Sequence, residues 1–68
     1  MDDYKINDFG RARFDAVKGG FSVFTDCYGT IQMIDKKYVW FADNNGTPYL
    51  VEKKSFQFEK CEFVNKIL

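Results

Sequence analysis

The 68-residue chain carries ten basic and ten acidic residues, thirteen aromatics and no histidine. A chain this short forms one domain near the lower limit for independent folding, so most of its large apolar side chains are needed for the core. The missing histidine removes the usual neutral-pH general base and the commonest metal ligand, and balanced charge speaks against a dedicated nucleic-acid binder, which needs a positive excess for phosphate contacts.

Residues 1–5 are polar and read as frayed. Ile6–Val17 fits two patterns. As a strand from Arg11 it places Ala12, Phe14 and Ala16 on one face and Arg11, Arg13 and Asp15 on the other. As a helix capped by Asn7 or Asp8 it groups Phe9, Ala12, Arg13, Ala16 and Val17. The cleaner alternation, and the cost of about 1 kcal/mol for Gly10 inside a helix, favour the strand. Lys18-Gly-Gly20 is a turn, because paired glycines accept the positive φ angles of a tight reversal. Gly19-Gly20 lacks the lysine and helix of a phosphate loop.

Phe21–Phe24 opens a second apolar strand or a structured loop, and Gly29 is expected to mark a bulge or sharp bend. Ile31 and Met33 share a face and Ile34 falls on the other, so this strand bends or ends near Asp35. In the next strand Val39 and Phe41 alternate with Tyr38, Trp40 and Ala42, leaving both faces apolar. Asn44-Asn-Gly46 closes a hairpin, and Pro48 starts a strand or lies on an edge because it has no N–H to donate. After the polar link Glu52–Ser55, Phe56 and Phe58 share a face. From residue 59 to the C-terminus, strand and helix spacing fit equally well.

The candidate chemistry is sparse. Asp15, Asp26, Asp35, Asp43, Glu52, Glu59 and Glu62 sit at turns or polar strand positions and read as a solvated face rather than a catalytic pair. Ser22 and Thr25 have no base. Cys27 and Cys61 read as free thiols of a reducing compartment that should tolerate serine, with neither a zinc site nor a disulfide framework around them. No apolar run resembles a signal peptide or a membrane span, so the expected location is cytoplasmic, with no membrane partner.

The run Gly29-x-Ile31-x-x-Ile34-Asp35, then Val39-x-Phe41, a glycine turn, Tyr49-x-Val51, Lys53-x-Ser55 and a final apolar strand resembles the SH3-like small barrels, and among them the Sm-like and KOW-like modules. Lys5–Phe14 is similar to the opening strand of such barrels. The resemblance covers about two thirds of the chain and implies a fold rather than an activity. The Ala-Leu-Tyr-Asp-Tyr segment of peptide-binding SH3 domains is absent, as is the Asn or His that holds a base in Sm-like proteins.

The expected fold is therefore all-β: one domain over residues 1–68, either a small five-strand SH3-like barrel or a strongly curved antiparallel sheet, ending in a strand or a short helix. The expected function is a non-catalytic protein-interaction module, self-associating or binding another protein, of a kind that suits a bacterial or phage accessory protein. Its candidate surface is the Tyr38, Trp40, Leu50 face or an exposed edge strand. The alternative is an RNA or single-stranded DNA binder that uses Lys36, Lys37, Lys53 and Lys54, with Arg11 and Arg13, beside Tyr38 and Trp40. Against it, lysines on edge strands also serve to prevent strand-to-strand aggregation. No cofactor and no metal is expected.

Overall fold

In the computed structural model, which describes residues 4–61, the alternation read from Arg11 is strand β1 (Phe9–Lys18). Ala12, Phe14 and Ala16 are buried on one side of its pleat, and Arg11, Arg13 and Asp15 lie on the other. Gly19 and Gly20 form a two-residue turn with φ of 57° and 84°, the backbone that a type I′ reversal requires. Strand β2 (Phe21–Ile34) returns antiparallel, with Phe21 opposite Lys18 and Thr30 opposite Phe9.

The meander continues through β3 (Tyr38–Asp43) and β4 (Pro48–Glu52), a single 3-10 turn (Lys53–Ser55), and β5 (Gln57–Lys60). The β3–β4 turn is held by Asp43, whose Oδ1 accepts from the backbone N–H groups of Asn45 and Thr47, both at 2.9 Å. β5 pairs with Gly10–Arg13 of β1, giving one sheet in the order β4-β3-β2-β1-β5. Pro48 thus begins an edge strand, where its missing N–H interrupts no ladder.

Of the two expected forms, the strongly curved sheet is the one observed. Among the described residues the edges β4 and β5 do not pair, so the sheet does not close into a barrel. It is nevertheless curled. The Tyr49 ring on β4 lies 5.2 Å from the Phe14 ring on β1, although two strands separate β4 from β1 in the sheet. The hollow holds a core of Ala12, Phe14, Ala16, Ile31, Val39, Phe41, Val51 and Phe56. Phe56, delivered by the 3-10 turn, closes it from above, with its ring 5.9 Å from Phe14, 5.8 Å from Phe41 and 5.9 Å from Phe58. Tyr4 stands edge-on to Phe56 at 5.4 Å and Phe58 at 5.7 Å, which anchors the chain from Tyr4 onward where fraying of residues 1–5 is the sequence expectation.

Gly29 does not interrupt β2. It faces Gly10 across the β1–β2 ladder, and both are buried. A Cβ at Gly29 would collide with the Ala42 carbonyl oxygen and come within 2.7 Å of Phe41 Cζ; at Gly10 it would collide with the Glu59 carbonyl oxygen and approach Phe58 Cζ to 2.8 Å. The two glycines make room for aromatic rings over the middle of the curved sheet.

The irregularity expected at Gly29 falls two residues later, as a bulge between Ile31 and Met33. One extra residue reverses the pleat. Ile31 and Ile34 therefore both turn toward the core, and Met33 faces outward, the reverse of the expectation that Ile31 and Met33 share a face. The strand ends at Ile34, close to Asp35 as expected. The choice between strand and helix beyond Cys61 lies outside the described residues.

Candidate interaction surface

The outer face of the sheet is built by the same parity that builds the core. On β3 Val39 and Phe41 point inward and are fully covered, so Tyr38 and Trp40 must point outward. The ladder sets Trp40 opposite Leu50 on one side and opposite Met33 on the other. The result is a row of three large apolar side chains crossing β2, β3 and β4, with Tyr38 next along β3. All four are between 37 and 54 % exposed. Tyr38, Trp40 and Leu50 are thus brought together as expected. Met33 is the member that parity alone misplaced.

The four lysines also converge. Asp35 closes the β2–β3 turn by accepting from the Lys36 N–H at 2.7 Å, while its own N–H donates to the Tyr38 carbonyl at 2.8 Å. The Lys53 N–H donates to the Lys37 carbonyl at 2.8 Å, tying the 3-10 turn to that turn. A groove of about 400 Å³ results, lined by Lys36, Lys37, Lys53, Lys54 and Glu52. Glu52 pairs with Tyr38 across β3 and β4, so the lysine groove adjoins the apolar row. Lys54 Nζ lies 3.9 Å from the Glu52 carboxylate, an exposed pair of little energetic weight.

Arg11 has another partner. Its Nε and Nη2 donate to the two carboxylate oxygens of Asp26 at 2.9 and 2.6 Å, across β1 and β2. The Arg11 hydrogen bond, helped by the charges of Arg11 and Arg13, holds the Asp26 carboxyl below its ordinary value of 3.8 against the opposing effect of burial. Because the folded-state value is lowered, the pair's contribution to stability is present above 3.8 and is lost as pH falls through the lowered value. In a carboxyl NMR titration the Asp26 midpoint is expected below 3.8 in the parent chain and nearer 3.8 in Arg11→Ala. An identical midpoint in both would contradict the pairing.

Asp43 lies close enough to Cys27 and Tyr49 on the inner side to act on both. Burial first, then the Asp43 and Asp26 charges, pushes the Cys27 thiol up; burial, Asp43 and Cys27 push the Tyr49 phenol up. Both therefore stay protonated at neutral pH, whereas a nucleophilic cysteine needs the thiolate. Cys27 and Cys61 are free thiols. Among the described residues no group of three metal-binding side chains is present, and no helix is long and apolar enough to cross a membrane.

No protein-family model matches the chain, and comparison with curated proteins and with solved structures finds no significant match.

Proposed function

We propose that this protein is a non-catalytic interaction module that binds another protein through the outer face of β2, β3 and β4, in the manner of a small bacterial or phage accessory protein. The observation that carries the reading is the exposed row Met33–Trp40–Leu50, flanked by Tyr38. A chain this small needs most of its large apolar residues inside. Placing a tryptophan, a leucine and a methionine in one outward row fits a contact surface, and tryptophan is prominent among the residues that dominate interface energetics. The lysines give the partner its chemistry: an apolar anchor for the Trp40 row and acidic residues for Lys36, Lys37, Lys53 and Lys54. In this reading the SH3-like resemblance describes an open relative of those barrels whose outer face does the binding.

A second reading, single-stranded nucleic-acid binding, is favoured by one observation: four lysines meet at a groove beside an exposed tyrosine. Zero net charge places it second. Selection of a random peptide display library on the immobilised protein separates the two. Enriched peptides are expected to combine an aromatic or aliphatic anchor with Asp or Glu, and Trp40→Ala should weaken them by roughly tenfold or more, the effect of losing a hot-spot side chain. Enrichment that is indifferent to Trp40→Ala would contradict the proposal. Salt-sensitive binding of a poly-U or oligo-dT probe, with no peptide enriched, would favour the second reading.

A further inference from the structure

The β1–β2 hairpin runs past the sheet as an arm. β5 pairs with β1 only from Gly10 to Arg13, and β3 pairs with β2 only from Gly29 to Ile34, with one further bond from the Asn44 N–H to the Tyr28 carbonyl. Beyond those points each strand's ladder partner among the described residues is the other, although Phe14 and Ala16 of β1 still pack into the core. The molecule measures 44 × 26 × 15 Å, as expected with such an extension. A two-stranded ribbon by itself is marginal in water. This one also carries apolar side chains on both faces. Phe21 and Val23 continue the side that bears the core, Val17 and Phe24 lie on the other, and all four are between 45 and 78 % exposed.

Among the described residues no strand pairs with the outer edge of the arm. Tyr28 O accepts from Asn44 N at 3.0 Å on the side away from β1. The alternation of an antiparallel ladder therefore sends the backbone N–H and C=O groups of Ser22, Phe24 and Asp26 to that same side. The sheet's other edges show how this chain protects a strand: β4 begins with Pro48 and runs into Glu52, Lys53 and Lys54, and β5 is four residues long and carries Glu59 and Lys60. Across Phe21–Tyr28 the single charge is Asp26, already neutralised by Arg11.

We propose that this edge pairs with the same edge of a second copy of the chain, joining two arms into one antiparallel four-stranded ribbon. The one charge of the segment, Asp26, is held by Arg11, and Phe21, Val23 and Phe24 give it apolar side chains on both faces. The chain's zero net charge sets no long-range repulsion between copies. Pairing of this edge covers the strand backbones and the flanks of Phe21, Val23 and Phe24 but leaves both ribbon faces and Val17 open. The buried area therefore falls below the ~1,200 Å² of stable interfaces, and the dimer is a weak one, formed at high concentration. The surface differs from the Trp40 row, so each proposal can fail without the other.

Sedimentation equilibrium of the full chain is expected to give twice the 8.0 kDa chain mass at high micromolar concentration, and a monomer on dilution. Phe24→Lys places a charge on the edge, and Ser22→Pro removes an outward N–H where a proline can sit without breaking the β1–β2 ladder. Each should abolish the dimer while near-UV circular dichroism stays as in the parent, and Trp40→Ala should leave the dimer intact. Hydrogen exchange of the parent chain gives a test that needs no variant: the Ser22, Phe24 and Asp26 amides should be protected at high concentration and lose that protection on dilution. A monomer at all concentrations, a dimer that survives in a folded variant, or protection independent of concentration would overturn the proposal.

Discussion

Phe41→Ala is expected to unfold the chain, whereas Trp40→Ala, one residue away, leaves it folded. Phe41 is 1 % exposed, and its ring lies 5.9 Å from Phe14, 5.8 Å from Phe56 and 6.3 Å from Phe58. Truncating such a ring costs about 3–5 kcal/mol, from lost burial and from the cavity left behind. A domain of this size has a total stability of roughly 3–10 kcal/mol, so the loss takes most or all of it. Trp40 lies on the other side of the same strand, beside Met33 and Leu50, and its truncation opens no cavity; about 1 kcal/mol is the expected cost. Thermal melts of the two variants, followed by circular dichroism, check the difference. Equal loss of fold in both would show that the two faces of β3 are reversed.

Gly29→Ala should be nearly as damaging, for a different reason. The obstacle is space, because the added carbon meets the Ala42 carbonyl and the Phe41 ring. The carbonyl belongs to the β2–β3 ladder and cannot turn aside as a flexible side chain would. Overpacking of this kind costs about 1–3 kcal/mol, and more where backbone must move. Gly19→Asn is the matched control. Nothing lies within 4 Å of the corresponding carbon there, and asparagine tolerates the positive φ of 57°. It should melt close to the parent. If Gly29→Ala also melted like the parent, the tight packing of rings over the Gly10–Gly29 pair would be refuted.

The same contrasts show what the sequence could reveal. Alternation in β1 and β3 was legible because each strand has a covered face with a consistent two-residue period: Ala12, Phe14 and Ala16 in one, Val39 and Phe41 in the other. The turns were legible because Gly19-Gly20 and Asn44-Asn-Gly46 carry their own backbone requirements. From these alone the outward row of Tyr38 and Trp40 follows, and Leu50 joins it by the parity of Val51. Met33 was not legible. Its side depends on one bulge residue, and local composition pointed to Gly29 as the irregular position, although that glycine serves close packing.

The arm escaped for a related reason. Phe21, Val23 and Phe24 have the composition of core strand residues, and nothing local says that β3 and β5 stop short of them. Strand overlap is decided by long-range register. The convergence of Lys36 and Lys37 with Lys53 and Lys54 likewise depends on one backbone hydrogen bond between segments sixteen residues apart, Lys53 N–H to Lys37 carbonyl.

The proposed function rests on Trp40 being an outward contact residue, and the chain has one tryptophan, so its fluorescence reports on that position alone. Acrylamide quenching, measured on the free protein and again with a saturating acidic, aromatic-anchored peptide from the display selection, is the most direct measurement. Trp40 should be readily quenched in the free chain, and the peptide should shield it and shift its emission to shorter wavelength. A Trp40 already shielded in the free chain, or a bound peptide that leaves its quenching unchanged, would contradict the assignment of this face as the binding surface.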